Sequence, residues 1–292
     1  MLDIASYFRY VESPQNEFFK RLKIHIEGGA RANKLRKETG QALIEGIHLL
    51  DAWVKAHQIH NIRSILTNSK SLENPEINLL IQACILDCEA NDRVFPEMIL
   101  VDESLCTSLT TLVNGPLLVC TVKIPTHEYG LGDKVDTLVL DGVQDSGNVG
   151  TMLRTAAAAG FFRIICTPGT ASIWSLKVLR AAMGGHLFLE FMESVSVESV
   201  LENTNNSLLV TNLNTQALDV FELGDRLRDK VTWVMGNEGK GAHPLFLEKA
   251  TSVHIPQEKG VESLNVSSAC SVCLFETIRI RKYAETVRRR IN

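Results

Sequence analysis

Hydrophobic and polar positions follow one another along this chain in an order that predicts an α/β protein. From Glu17 to Arg36, and again from Ala42 to Ala56, apolar residues recur at intervals of three and four, which predicts helices. Shorter β-type runs follow, and a helical stretch from Pro75 to Ala83 lies between them. We expect strands at Ile62–Thr67, Val94–Val101 and Leu117–Val122.

The pattern restarts after a polar segment, residues 125–136, that contains one Pro and two Gly and predicts a linker. We therefore expect two domains, residues 1–124 and residues 137–292. Repeated strand–turn–helix units in the second domain predict a mostly parallel sheet with helices on both faces. Its strands are expected at Thr137–Asp141, Phe162–Cys166, Leu208–Thr211, Val231–Met235 and Ser252–Ile255, and its helices at Asn148–Ala159, Leu176–Met183 and Leu264–Arg281.

Three polar loops should meet at one edge of this sheet, because ligands bind outside the carboxyl ends of parallel strands. They are Gly142–Asn148, Gly236–Gly241 and Gln257–Asn265. The first opens a helix whose free amides favour an anion, but it lacks the leading G-x-G of a dinucleotide fingerprint. The second lacks the spacing of a P-loop. In the third, Ser263 and Asn265 could each be a plain helix N-cap.

Charge changes the picture of the N-terminal region. The net charge of −4 argues by itself against a nucleic-acid-binding protein, yet the segment from Lys20 to Lys37 is strongly basic. A solvated helix face is the alternative explanation. The candidates for RNA contact are Lys20, Arg21, Lys34, Arg36 and Lys37.

Composition excludes several other classes of protein. No stretch reaches the ~18 apolar residues of a membrane-spanning helix, and the N-terminus does not read as a secretory signal. Seven scattered cysteines predict a reducing cytoplasm rather than a disulfide framework. We interpret Cys270 and Cys273, a single C-x-x-C in an apolar helix, as core packing rather than redox or metal chemistry, and we expect no metal.

The three loops resemble the motifs of the SpoU-type RNA 2′-O-methyltransferases of the SPOUT superfamily, in order and approximate spacing. The matching stretches are Asn148-Val-Gly150-x-x-x-Arg154, Gly236-Asn-Glu238-Gly-Lys-Gly241, and Ile255-Pro256 followed by Ser263-Leu-Asn-Val-Ser267. The likeness covers about residues 137 to 285. Residues 1–124 resemble the ribosomal-protein-like, RNA-binding domain of many members, through Asn16, Lys20, Lys34, Arg36 and Ile44-Glu-Gly46.

The resemblance implies a cofactor, S-adenosylmethionine, and a homodimer whose C-terminal domain carries a deep trefoil knot. It implies catalytic roles for Arg154, Asn148, Glu238, Ser263 and Asn265, and a cofactor site at Thr211, Gly236, Ile255 and Leu264. The family position of Arg154 is often described as a base. Because an arginine pKa above ~12 makes the neutral form scarce, we favour a clamp on the phosphate and the developing alkoxide.

The expected reaction is methylation of a ribose 2′-hydroxyl in structured RNA, with ribosomal RNA favoured by the large N-terminal domain. Three alternatives stay open. The substrate could be transfer RNA, or the methyl group could go to a ring nitrogen of a base. The third alternative is a ribosome-assembly factor that binds RNA without catalysis, against which the intact Asn148, Arg154, Glu238 and Asn265 argue.

Overall fold

The computed structural model describes residues 3–13, 15–106, 108–112, 115–126, 130–214, 216–260 and 262–291, with side chains up to residue 283. It divides into two compact units. The first unit comprises residues up to 126 together with residues 172–187, and the second comprises residues 127–171 and everything from 188 onward. The boundary between the units after residue 126 falls within the predicted linker at 125–136, and residues 127–129 are outside the described part.

The first unit is built on a five-stranded mixed sheet in the order β1-β4-β3-β5-β2. Strands β1, β4 and β3 run parallel, whereas β5 is antiparallel to both β3 and β2. The strands are β1 (Arg9–Val11), β2 (Gln41–Glu45), β3 (Ile62–Thr67), β4 (Glu97–Val101) and β5 (Leu118–Lys123). The helices of residues 1–126 are α1 (Glu17–Glu27), α2 (Gly29–Thr39), α3 (Ile47–Lys55), α4 (Ser69–Leu72), α5 (Pro75–Ala90) and α6 (Glu103–Cys106).

The predicted helix from Ala42 to Ala56 is wrong in its first part. Gln41–Glu45 is a strand, and the helix begins only at Ile47. Two glycines with left-handed backbone, Gly40 at φ +62° and Gly46 at φ +91°, separate these elements, and such φ values favour glycine. The consecutive buried residues between them suit a strand covered on both faces.

The predicted basic helix from Glu17 to Arg36 is present as two helices. Gly28 and Gly29 both adopt positive φ, 75° and 71°, and so end α1 and redirect the chain into α2. Asn16 caps α1 by accepting a hydrogen bond from the Phe18 amide over 2.9 Å.

The second unit carries the predicted parallel sheet, which is confirmed. All neighbouring strands in the order β10-β12-β9-β11-β6-β7-β8 pair in parallel. The strands are β6 (Thr137–Leu140), β7 (Arg163–Cys166), β8 (Glu190–Glu193), β9 (Ser207–Thr211), β10 (Leu218–Asp219), β11 (Val231–Met235) and β12 (Thr251–His254). The helices from residue 137 onward are α7 (Ser146–Ala159), α8 (Leu176–Ala182), α9 (Val197–Asn203), α10 (Pro244–Lys249) and α11 (Val266–Ile291).

Helix α8 belongs to the first unit although it follows β7 in the chain. Leu176 is buried in the same apolar cluster as Leu43 and Val119. Arg180 donates a hydrogen bond to the hydroxyl of Thr111 over 2.6 Å and lies 3.9 Å from the buried carboxylate of Glu45. The stretch 172–187 therefore adds both apolar and ionic contacts to the unit formed by residues up to 126.

Helix α11 is held to the second unit by a paired carboxylate. Arg281 donates from its two terminal nitrogens to the two oxygens of Asp136, over 2.7 and 2.8 Å. Asp136 is 3% exposed and also accepts from Lys230 over 2.7 Å. Bidentate geometry fixes the direction of the guanidinium, so this contact helps to anchor α11 in the second unit.

Candidate active site

A cavity of about 510 Å³ opens at the carboxyl ends of three neighbouring parallel strands, β12, β9 and β11. This volume lies within the ~300–1,000 Å³ typical of small-molecule sites. The residues predicted to hold a cofactor, Thr211, Gly236, Ile255 and Leu264, all line it. They come together because each of the first three ends or directly follows one of those strands.

A closed turn forms one wall of this cavity. Asn237 and Gly241 exchange backbone hydrogen bonds of 3.0 and 2.9 Å across it. The Oδ1 atom of Asn237 accepts from the amides of Gly239 and Lys240, each over 3.0 Å. Gly236 has no alternative here, since a Cβ would lie 2.3 Å from the amide nitrogen of Ala242.

Side chains from all three polar loops form one hydrogen-bonded chain beside the cavity. Asn148 donates from Nδ2 to Oε1 of Glu238 over 3.1 Å, and its Oδ1 accepts from Nδ2 of Asn265 over 2.9 Å. Glu238 also accepts from the backbone amides of Gln144 and Asp145, over 3.2 and 3.1 Å. Asn148 is thus the link between the Glu238 and Asn265 loops.

The contacts of Glu238 govern its charge. Partial burial acts to raise the pKa of this carboxyl group, but the hydrogen bonds from Asn148 and from nearby backbone amides outweigh that effect and lower its pKa. The group is therefore an anion near neutral pH and accepts hydrogen bonds without donating one. Its geometry suits holding Asn148 in place.

Asn265 combines the capping role with a contact across the site. Its Oδ1 accepts from the amides of Ser267 and Ser268, over 2.8 and 3.4 Å, as an N-cap of α11 does. Its Nδ2 is left to bind Asn148. Ser263 is exposed and, like Asn265, lines the cavity.

Arg154 lies apart from this chain of hydrogen bonds. It is six residues beyond Asn148 on α7, which is about 9 Å along the axis and about 120° around it. Arg154 is exposed, is not among the residues lining the cavity, and makes no side-chain hydrogen bond or ion pair within the described part of the chain. Its guanidinium is therefore available to a ligand outside the cavity.

Asp141, which was not predicted from the sequence, stabilises the loops next to the site through hydrogen bonds. Its Oδ2 accepts from the amide of His243 over 2.6 Å, and its Oδ1 accepts from the hydroxyl of Thr167 over 2.7 Å. The same hydroxyl oxygen accepts from the amide of Gly142 over 3.0 Å. An acidic residue at the carboxyl end of a buried strand was the available signal, since such a carboxylate needs nearby donors.

Four of the five residues predicted to contact RNA, Lys20, Arg21, Lys34 and Lys37, are exposed. Arg36 requires a correction. It is 5% exposed, and its guanidinium donates to the Oδ1 atom of Asn33 and, over 3.2 Å, to the hydroxyl of Ser172. These contacts lie inside the first unit, so Arg36 stabilises that unit and is not presented to RNA.

Comparison with known proteins identifies the family of this chain. Residues 137–275 match a family model described as the SpoU rRNA Methylase family. An uncharacterized tRNA/rRNA methyltransferase of Synechocystis is 32% identical, and the alignment spans 97% of each chain.

The chain belongs to the SpoU rRNA methylase family.

This SpoU-family chain is also 26% identical to the Bacillus subtilis 23S rRNA (guanosine(2553)-2'-O)-methyltransferase RlmP, over 91% of its own length and 98% of that protein. Among solved structures, it superposes with a TM-score of 0.74 on the AdoMet-bound rRNA methyltransferase of Sinorhizobium meliloti. That pair shares 24% identity, and the superposition covers 94% of this chain and 98% of the other. The likeness to the Sinorhizobium meliloti structure supports the fold of this chain.

The cysteines of the SpoU-family chain are all free thiols. Cys270 and Cys273 are fully buried, which confirms their interpretation as core residues, and burial raises the pKa of both thiols. No three His, Cys, Asp or Glu residues in the described ranges are grouped so as to hold a metal ion. Over those same ranges, none of the helices has the length and apolar character needed to cross a membrane.

Proposed function

We propose that this SpoU-family RNA methyltransferase transfers a methyl group from S-adenosylmethionine to a ribose 2′-hydroxyl of ribosomal RNA. The observation that carries the proposal is the hydrogen-bonded chain from Glu238 through Asn148 to Asn265, which joins all three family motifs beside one cavity. The names of the relatives point the same way: one is called a tRNA/rRNA methyltransferase and another a 23S rRNA guanosine 2'-O-methyltransferase.

The cavity fits the proposed cofactor by size and by the chemistry of its wall. Leu213, Leu247 and Leu264 supply apolar surface for an adenine ring, while Asn212 and the backbone of the 236–241 turn supply polar groups. Residues Thr211, Gly236, Ile255 and Leu264 would hold the adenosine part. S-adenosylmethionine, when bound, supplies a methyl group already activated by a sulfonium sulfur.

The chain's own residues then have two tasks, alignment and handling of one proton. Asn148, held by Glu238 and Asn265, would orient the ribose. Ser263 would contact the nucleotide at the mouth of the cavity. Arg154 would bind the neighbouring phosphate and the 2′-oxygen, which would gain negative charge as its proton leaves and lose that charge as the methyl–oxygen bond forms and the methyl–sulfur bond breaks. In this proposal the hydroxyl proton passes to water.

The position of Arg154 supports the proposal of a homodimer. Its guanidinium is outside the cavity of its own chain, whereas the proposed reaction needs it near the methyl group. We propose that a second copy, docked through the second unit, brings Arg154 to the cavity of its partner. The free thiols of the chain agree with a reducing compartment, and we place the protein in the cytoplasm.

RNA binding is assigned to residues 1–124, the proposed substrate-binding domain, through the exposed lysines and arginine of α1 and α2. Residues 137–292 supply the proposed methyltransferase domain, although residues 172–187 pack in the first unit.

Mapping of 2′-O-methyl groups in cells with and without the gene tests this function. We expect one ribosomal RNA position to lose its methyl group when the gene is deleted and to regain it when the intact gene is returned. Return of a gene carrying Arg154→Ala provides the control for catalysis. Loss of a methyl group from transfer RNA alone would contradict the assignment to ribosomal RNA.

A further inference from the structure

Lys240 is held at the wall of the cavity by a turn with fixed geometry. The turn from Asn237 to Gly241 is closed by two backbone hydrogen bonds, and the Asn237 side chain accepts from the Lys240 amide itself. The backbone of Lys240 is therefore positioned, while its side chain is exposed and lines the cavity. Its ammonium group makes no ion pair or hydrogen bond with any described residue.

Lys240 supplies the positive charge in a cavity that few charged residues line. Among the described residues that line it, only Glu238 and Lys240 carry charge. The carboxylate of Glu238 accepts hydrogen bonds from Asn148, Gln144 and Asp145, so its oxygens face that loop. The negative group of the cavity is thus already hydrogen-bonded, whereas its positive group has no partner among the described residues. This arrangement suits a ligand that carries a negative group.

We propose that Lys240 binds the amino-acid carboxylate of the cofactor, an inference that rests on the proposed function. The cavity that Lys240 lines is also lined by Gly236, Ile255 and Leu264, the residues assigned to adenosine. Lys240 lies on the turn that directly follows Gly236, whereas Ser263, assigned to the nucleotide, lines the cavity from a different loop. The position of Lys240 therefore favours a carboxylate of the small molecule over a phosphate of RNA.

The size of the expected effect is modest because the lysine is exposed. Ion pairs at solvent-exposed sites contribute little, and the common range corresponds to about a two- to fivefold change in affinity. Salt should reduce the effect, since exposed charges are screened at high ionic strength. If the ammonium group of Lys240 contacts only solvent, its replacement should leave the affinity for the ligand unchanged.

Calorimetric titration of the full chain tests the proposal with two ligands. S-adenosylhomocysteine carries the carboxylate, and its carboxamide analogue is neutral at that position. We expect Lys240→Met to weaken binding of S-adenosylhomocysteine about two- to fivefold and to leave the carboxamide unaffected. Lys240→Arg should restore the affinity, and Lys240→Gln gives a second neutral variant in case the first loses stability. Lys249→Met, which removes an exposed lysine paired with Glu248, is the matched control.

The outcomes separate this proposal from the proposed function. Equal weakening of both ligands, or of neither, would overturn the carboxylate contact while the cofactor assignment stands. Weaker RNA binding by Lys240→Met with unchanged affinity for S-adenosylhomocysteine would overturn it in favour of a phosphate contact. Failure of the unaltered chain to bind S-adenosylhomocysteine would overturn the cofactor assignment, and this inference with it.

Discussion

Asn148 and Glu238, which are 90 residues apart in sequence, are joined by a hydrogen bond of 3.1 Å from Nδ2 to Oε1. The other polar atom of the Asn148 side chain accepts from Asn265. One amide thus uses its donor and its acceptor to connect two loops, and neither alanine nor aspartate can do both.

Replacing Asn148 with Ala should lower the rate of methyl transfer by about 10²-fold, because small errors in the position of reacting groups have effects of that size. Affinity for S-adenosylhomocysteine should change little, since Asn148 does not line the cavity. Single-turnover assays and calorimetry measure the two quantities. Thr151→Ala, an exposed change on the same helix, is the control. A wild-type rate for Asn148→Ala would contradict the role of this link.

Replacing Arg154 with Lys should reduce methyl transfer by about 10²–10³-fold, the usual effect of removing one preorganised contact to a developing negative oxygen. Lysine keeps the charge but lacks the planar fork that can hold two oxygens at once. The fold should be unaffected because Arg154 is exposed. A rate within about threefold of wild type at saturating RNA would contradict both the clamp and the base.

Changing Lys34 and Lys37 to Ala together should weaken RNA binding and flatten its dependence on salt. Each lost phosphate contact should reduce the log–log slope by roughly 0.7 to 0.9. Arg36→Ala should behave differently, by destabilising the first unit, because this guanidinium is buried against Asn33 and Ser172. Filter binding across a salt series, together with thermal denaturation, separates the two effects. An unchanged salt slope in the lysine double variant would argue against RNA contact.

The first unit should lose stability between about pH 6.5 and pH 4. Burial lowers the pKa of His25 and of His186 to about 4, from 6.5, with the charge of Arg36 adding to the effect on His25. As pH falls through this window the unfolded chain takes up protons that the folded chain refuses, so folding becomes less favourable. The loss is roughly 1.4 kcal/mol per pH unit for each histidine.

Urea denaturation at pH 7, 6, 5 and 4 measures this loss of stability, and His25→Phe should reduce its dependence on pH. Identical pH profiles for the His25 variant and the unaltered chain would contradict the role of His25.

Glu238 affects stability at lower pH than the two histidines do. Because its folded pKa is below the unfolded value of 4.5, its contribution is complete above that pH and disappears as pH falls through the folded pKa.

The three loops of the site could be predicted from the sequence for a physical reason. Loops rich in glycine and polar residues follow strands β6, β11 and β12, and parallel strands bring such loops to one edge of the sheet. The pairing of Asn148 with Asn265, 117 residues away, depends on side-chain directions that no local pattern encodes. The trefoil knot implied by the family resemblance stays a prediction.

Other features escaped prediction because tertiary contacts decide them. Gln41–Glu45 shows helix-like spacing, yet it pairs with β5 and is a strand. Leu176 lies in sequence among residues of the second unit but is buried in the core of the first. Its replacement by Ala should destabilise the first unit by about 2–5 kcal/mol, as for other buried leucines.

The central claim is transfer of a methyl group to a ribose 2′-oxygen of ribosomal RNA, and alkaline hydrolysis of labelled RNA tests it most directly. The full chain is incubated with methyl-labelled S-adenosylmethionine and with unmodified ribosomal or transfer RNA, and each RNA is then digested with alkali. A 2′-O-methyl group prevents cleavage at its own nucleotide, so we predict label in alkali-resistant dinucleotides from ribosomal RNA. Label in mononucleotides, which indicates base methylation, or label confined to transfer RNA, would contradict the account.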